Sequence, residues 1–217
     1  MSLLFHDRID AGRQLAARLA RYAHGSGVLV LGLPRGGIPV AYEVARALDV
    51  PLDVFVVRKL GVPGHEELAM GAIASGNAQI LNDDVIRQLH IPQSTVDQVA
   101  ARERAELVRC ERAYRLKRSA MDVANRIVIL VDDGLATGAS MRAAVLAVKQ
   151  MGPAGVVIAV PVAAAETCEL MRRFVDEVIC VYMPESFQAV GLWYEDFEQT
   201  SDEEVRRLLI ASRARER

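Results

Sequence analysis

At 217 residues the chain fits one domain, or one domain carrying an insertion. Hydrophobic residues make up 52% and charged ones 25%, which supplies a sizeable core and excludes a disordered chain; aromatics, at 5%, are few, so the packing is expected to be aliphatic. With 26 Lys and Arg against 28 Asp and Glu the net charge is −2, and nothing global points to a nucleic-acid or membrane surface.

The predicted elements follow in chain order. Asp10-Ala11-Gly12 opens a helical pattern in which Leu15, Leu19 and Tyr22 recur at helical spacing. Val28 to Leu33 reads as a buried strand that ends at Pro34-Arg35-Gly36-Gly37, and Ile38 to Leu48 as a helix. A second strand is expected from Leu52 to Val57, then a Gly/Pro-rich loop from Leu60 to Gly64. Met70 to Ala74 and Ala78 to Leu81 are candidate arms of a hairpin around Ser75-Gly76-Asn77. Ser94 to Ala120 contains no Gly or Pro and predicts one long helix with an apolar stripe through Val99, Leu107 and Tyr114. Its arginines are interleaved with Glu103, Glu106 and Glu111, so the spacing predicts a solvated amphipathic face, with contact to a phosphate or a partner as the sharper alternative. A strand over 128–131, a helix from Met141 to Met151, a strand from Val156 to Pro161, a helix from Glu166 to Arg173 and a strand from Glu177 to Met183 complete the alternation. Strands alternating with helices predict an α/β fold, a parallel β-sheet flanked by helices. A terminal helix is expected from Val205 to Ile210, and the tail arginines Arg213, Arg215 and Arg217 are assigned no role.

Cys110, Cys168 and Cys180 form no CxxC pair and no Cys/His cluster, which argues against zinc and against a disulfide framework; Cys180, in an apolar run, is expected to be buried filler. The N-terminus lacks a signal-peptide apolar region, and no apolar stretch reaches the roughly 18 residues of a membrane span. A soluble, cytoplasmic protein is expected.

The most informative segment is Val128-Ile129-Leu130-Val131-Asp132-Asp133-Gly134-Leu135-Ala136-Thr137-Gly138-Ala139-Ser140. A buried strand running into such a loop delivers backbone N–H groups at a helix N-terminus, a ready anion site. The paired acids just before it can accept hydrogen bonds from neighbouring hydroxyls or hold a divalent ion. One ligand bearing a phosphate and a vicinal diol would satisfy both halves. The plain alternative is a strand that ends in an Asp-Asp-Gly turn.

This segment resembles the signature of the type I phosphoribosyltransferases, enzymes that bind 5-phosphoribosyl pyrophosphate (PRPP). The resemblance implies that Asp132 and Asp133 hold the ribose diol, with at most an indirect or weak part in metal binding. It implies that Ala136, Thr137, Gly138, Ala139 and Ser140 wrap the 5-phosphate. Pro34-Arg35-Gly36-Gly37 looks like the family's pyrophosphate loop, with Arg35 and the amides of Gly36 and Gly37 at the leaving group; glycine lets backbone approach an anion closely. Val57-Arg58-Lys59-Leu60-Gly61-Val62-Pro63-Gly64-His65-Glu66-Glu67 resembles the mobile loop that closes over the reaction centre. Arg58 and Lys59 would then face pyrophosphate, while Glu66 and Glu67 are candidate proton donors or acceptors, or simply solvated loop charge.

The acceptor is less legible. Hypoxanthine-guanine enzymes carry an Asp where this chain has Ala136, and a Lys after the next strand that Val160 to Ala165 lacks. The loop matches adenine-type enzymes better, although Gly134 is an unusual occupant. Residues 184–200 stand where the family builds a hood over the base. There Phe187 is a candidate stacking partner, with Trp193 or Tyr194 walling the acceptor pocket; a core plug is the alternative.

The resemblance thus implies one phosphoribosyltransferase-like domain over 1–217, with a helical insertion at 82–124 and a hood at 184–200. The expected activity is Mg²⁺-dependent transfer of a phosphoribosyl group from PRPP to a small nitrogenous acceptor, in a homo-oligomer, a dimer, without membrane or nucleic-acid partners. A PRPP- or nucleotide-sensing regulatory protein of the same fold is the second reading. A hydrolase or phosphatase with Asp132 and Asp133 as metal ligands is the third. A pocket that is collapsed or plugged by neighbouring side chains, or two aspartates both turned inward to salt-bridge partners, would undo the first reading.

Overall fold

The computed structural model describes residues 4–115 and 119–215. Helix α1 (Arg8–Arg18) is opened by Asp7, whose carboxylate accepts the Asp10 amide. Strand β1 (Val28–Gly32), helix α2 (Gly37–Leu48) and strand β2 (Leu52–Val54) follow. Next come β3 (Val57–Val62), β4 (His65–Ala74), β5 (Ala78–Leu81), α3 (Asp83–Gln88) and α4 (Gln93–Arg115). The remainder is β6 (Ile127–Val131), α5 (Ala139–Lys149), β7 (Gly155–Val162), α6 (Ala165–Arg172), β8 (Glu177–Tyr182) and α7 (Asp202–Ala214).

Five parallel strands form the main sheet in the order β2-β1-β6-β7-β8. Its inner strands are unbroken apolar runs because helices cover both faces. Strand alternation divides their side chains between two cores. Val28 and Val30 of β1, with Ile129 and Val131 of β6, pack with residues of α1, α2, α4 and α7. Leu29, Leu31, Val128 and Leu130 face the other way, against α5 and α6. From β1 the chain passes through α2 to β2 on one side, whereas β6 lies on the other. The order therefore reverses between β1 and β6, and open parallel sheets bind ligands in the crevice outside the strand ends at such a point. The α/β expectation, a parallel sheet flanked by helices, holds.

Several expectations are corrected. The strand expected from Leu52 to Val57 is two strands, and the loop expected from Leu60 to Gly64 belongs to an antiparallel hairpin. There β3 pairs with β4 through Arg58 opposite Ile73 and Lys59 opposite Ala72, and Gly64 turns the chain at φ 80°. The second hairpin, β4 with β5 around Ser75–Asn77, is as expected. The long helix is described as far as Arg115 and does not include Ala120: residues 116–118 lie outside those described, and Ser119 and Ala120 are not helical. Cys180 is half-buried, whereas Cys168 is the fully buried thiol. Among the described residues no helix is long and apolar enough to cross a membrane.

The tail arginines are corrected too. Arg215 is exposed and Arg217 lies outside the described residues, but Arg213 is buried. Its Nη2 donates to Asp53 Oδ1 at 3.2 Å and its Nη1 to the Arg115 carbonyl at 3.3 Å. Asp53, on β2 and 1% exposed, also accepts from Arg115 Nε at 3.3 Å and from the Met121 amide at 3.0 Å. One carboxylate thus joins the edge strand to the last described residue of α4 and to α7. Removing the charge from a buried ion pair strands its partners, here two guanidinium groups. Asp53→Asn is accordingly expected to lower unfolding free energy by about 3 kcal/mol in urea titrations; an unchanged midpoint would show that the cluster is not structural.

Candidate active site

The loops after β1 and β6 meet at the switch point because their strands are in register, Gly32 beside Val131. The Leu33 amide donates to the Val131 carbonyl at 2.9 Å, which carries the contact past the strand ends. The Pro34–Arg35 peptide bond is cis, and Gly36 is the N-cap of α2. A side chain at Gly36 would run into the Asp133 carboxylate, and a Cβ at Gly37 would lie 2.8 Å from Asp132 Cα. The Arg35-Gly36-Gly37 loop therefore lies directly against the acid pair, an approach that only glycine permits.

Asp132 and Asp133 are both partly buried. The Asp133 amide donates to Asp132 Oδ1 at 2.9 Å. Burial, reinforced by the neighbouring Asp133, raises the Asp132 carboxyl well above the usual carboxylate range. Asp133 is raised by burial as well, against the opposing pull of Arg8. Arg8, in the first turn of α1, donates through Nε to Asp133 Oδ2 at 2.9 Å, with only 12% and 16% of the two side chains exposed. The guanidinium lies 3.9 Å over the Phe197 ring, and its Nη1 donates to the Glu198 carbonyl at 2.6 Å. Tyr194 donates its hydroxyl to the Asp133 carbonyl at 2.6 Å. Among the described residues Asp133 alone of the pair has an ion-pair partner, because two adjacent carboxylates in a desolvated crevice need a counter-charge. Arg8 supplies it.

The cradle beside the acids is open. Ala136, Thr137, Ala139 and Ser140 are exposed, while Gly138, at φ 73°, is buried and forms the N-cap of α5. No side chain caps that helix, so its first-turn amides, at the positive end of the helix dipole, are left without a side-chain cap. The loop is held from behind: the Leu135 amide donates to the Val162 carbonyl at 2.9 Å and Thr167 Oγ1 to the Ala136 carbonyl at 2.6 Å. Gly134, the unusual occupant, has a reason. A Cβ there would collide with the Val190 side chain, so the segment after β8 can rest on the loop only over glycine.

The cationic residues divide. Arg35 and Arg58 line one cleft, where Arg35 Nη1 lies 3.8 Å from Asp202 and Arg58 donates to Glu103 of α4 at 2.6 Å. Lys59, the next residue on β3, is exposed and points to the opposite face, as alternation along a strand requires. The expectation that both cations face one site is corrected accordingly. Glu66 is exposed at the hairpin turn and accepts the Gly64 amide at 3.3 Å. Backbone hydrogen bonds from Glu66 and Gly64 lower its pKa, the opposite of what a proton donor near neutral pH needs. The Glu67 side chain lies outside the described residues.

The aromatic segment is also redistributed. Trp193 is 6% exposed in a satellite core with Phe5, Ala11, Val162 and Tyr194, its ring 5.2 Å from that of Tyr182. It is the core plug and not a pocket wall. Phe187 packs against the same cluster and is partly exposed. Sequence reasoning missed Arg8 and Phe197. An arginine one residue after a helix cap and a phenylalanine in an acidic stretch carry no local signal, and Arg8 meets Asp133 across 125 positions.

Known proteins resemble the chain along most of its length. A family model for the phosphoribosyl transferase domain matches residues 4–195. A Mycobacterium tuberculosis protein, provisionally named a phosphoribosyl transferase, is 48% identical over 202 residues, covering 93% of this chain and 45% of the relative. The chain thus spans less than half the length of the curated relatives it matches. The crystal structure of TT1426 from Thermus thermophilus superimposes with a TM-score of 0.85 at 44% identity, covering 96% of this chain and 98% of that one. The match over nearly the whole chain, together with the acid pair and its amide cradle, places this chain in the phosphoribosyl transferase domain family, the type I phosphoribosyltransferases.

Proposed function

We propose that the chain transfers a 5-phosphoribosyl group from PRPP to a small nitrogenous acceptor and releases pyrophosphate. The observation that carries this reading is the junction at the switch point. There a carboxylate pair lies against a glycine loop bearing Arg35 on one side and an uncapped helix N-terminus on the other. The first-turn amides of α5, with Thr137 and Ser140, take the 5-phosphate. The ribose hydroxyls donate to Asp132 and to the lone pairs of Asp133 that Arg8 leaves available. The bond from the anomeric carbon to pyrophosphate then breaks with its electron pair leaving on pyrophosphate, and an acceptor nitrogen closes a new bond as its proton passes to the departing pyrophosphate or to water. Arg35 and Arg58 meet the departing charge, while the carboxylates below the sugar favour the cationic ring.

Magnesium fits this donor set as a shared ligand. Among the described residues no group of three or more His, Cys, Asp or Glu side chains gathers into a cage. Mg²⁺ is ordinarily held by one or two carboxylates together with substrate phosphates and water. Asp132 is the better placed of the pair, since Asp133 Oδ2 is engaged by Arg8. When bound, the ion would offset charge on the pyrophosphate oxygens.

The Arg8–Asp133 and Arg58–Glu103 pairs favour a second reading, in which the site binds PRPP or a nucleotide as a sensor without turnover. Incubation with PRPP, Mg²⁺ and a panel of nitrogenous bases separates the two. Transfer predicts pyrophosphate release with at least one base; tight PRPP binding with no release would leave the sensor standing.

A second test uses Asp132 itself. An asparagine there keeps the acceptor for the Asp133 amide but removes a buried charge. Asp132→Asn is therefore expected to raise the melting temperature of the ligand-free protein and to weaken PRPP binding by about tenfold or more, the worth of a hydrogen bond to a charged acceptor. A variant that binds PRPP normally would remove Asp132 from the diol site.

A further inference from the structure

Helix α4, in the segment expected to be an insertion, packs on β3 and forms one wall of a polar cleft of about 270 Å³. The other walls come from the Pro34–Arg35 loop, residues 56–58 and Asp202 at the start of α7. Three guanidinium groups line it, Arg35, Arg58 and Arg109, each from a different segment. Each is matched to a carboxylate. Arg109 is held in bidentate fashion by Glu106 at 2.8 and 2.6 Å, Arg58 by Glu103 at 3.0 and 2.6 Å, and Arg35 more loosely by Asp202 at 3.8 Å. Tyr114 donates its hydroxyl to Asp202 at 2.8 Å, which holds that acid at the cleft margin.

The three pairs are unequal. The Glu103 side chain is only 13% exposed and accepts from Arg102 as well as Arg58. Glu106 is 36% exposed, Asp202 43% and Arg109 62%. Exposed ion pairs contribute little to stability, so Glu106 can turn to water at small cost when a stronger anion arrives, whereas Asp202 is kept by Tyr114. A diphosphate presents several oxygens in fork geometry to arginine, with more charge than one carboxylate. Two of the three arginines, Arg35 and Arg58, are those already placed at the leaving group.

We propose that α4 completes the pyrophosphate subsite, with Arg109 contacting the leaving group and Glu106 occupying its place while the site is empty. This rests on the PRPP reading given above and deepens it. The insertion is then part of the reaction centre: it adds a third cation and a carboxylate that competes with pyrophosphate, and so sets how firmly product is held.

Calorimetric titration with inorganic pyrophosphate in the presence of Mg²⁺ tests this on the full chain. Arg109→Gln is expected to weaken pyrophosphate binding by about tenfold, the loss of a charge-assisted pair of hydrogen bonds. Glu106→Gln is expected to tighten it several-fold by removing the competitor, which a merely structural glutamate would not do. Arg112→Gln, on the same helix but not lining the cleft, serves as the charge control and is expected to leave binding unchanged. Far-ultraviolet circular dichroism of each variant checks folding, and Glu106→Gln keeps the test decisive should Arg109→Gln unfold. Normal wild-type binding with neither variant altered, or an equal loss in Arg112→Gln, overturns the role of α4 and leaves the PRPP reading intact. Wild-type protein that binds neither pyrophosphate nor PRPP overturns both.

Discussion

Two adjacent carboxylates at the end of a buried parallel strand dominate the physics of this molecule. Asp132 and Asp133 sit where desolvation raises both pKa values, and like charges cannot occupy such a site without compensation. The fold brings the compensation from far away. Arg8 reaches Asp133 from α1, its guanidinium stacked on Phe197 and bonded to Glu198, while Tyr194 holds the backbone of the same residue. The beginning of the described chain and the segment after β8 are thereby drawn together: the Glu195 and Asp196 amides donate to the Phe5 and His6 carbonyls, each at 2.9 Å. The acid pair organises its own surroundings as well as presenting a site.

The same logic holds on the cationic side. Arg58 and Arg109 are charged groups at a cleft, and each carries a glutamate from α4. The two pairs differ in strength: Glu106 and Arg109 are exposed and weakly held, whereas Glu103 is only 13% exposed. The segment that resembles a mobile loop contributes differently. It is a hairpin in a three-stranded sheet whose backbone partners are supplied by β4 and β5, and α4 packs against its first strand. A hairpin fixes which of two consecutive cations enters the cleft, and here it is Arg58 and not Lys59.

Much of this was legible in the residues. Continuous apolar runs of strand type, each followed by a helical period, specify a parallel sheet covered on both faces, since no other arrangement buries such strands. The strand-acid-acid-loop order around Asp132 is local, and each part has a local reason: the strand feeds the loop, the small residues free the amides, and the helix that follows adds its dipole. The same holds for Arg35-Gly36-Gly37, whose glycines signal a close approach without naming its partner.

Pairings between distant positions are another matter, since no local pattern encodes them. Arg8 with Asp133, Arg213 and Arg115 with Asp53, and Val190 over Gly134 join segments that periodicity treats separately. Trp193 and Phe187 illustrate the limit: an aromatic cluster after the last strand suits a pocket wall or a core plug equally, and only packing against Phe5 and Tyr182 settles Trp193 as the plug. The layers and the acid-cradle motif are written in the residue order, because hydrophobic period and turn chemistry act over a few residues. The counter-charges, the inward turn of Arg115 and the face that each cation shows were set by long-range electrostatics and close packing, which exist only once the sheet has assembled.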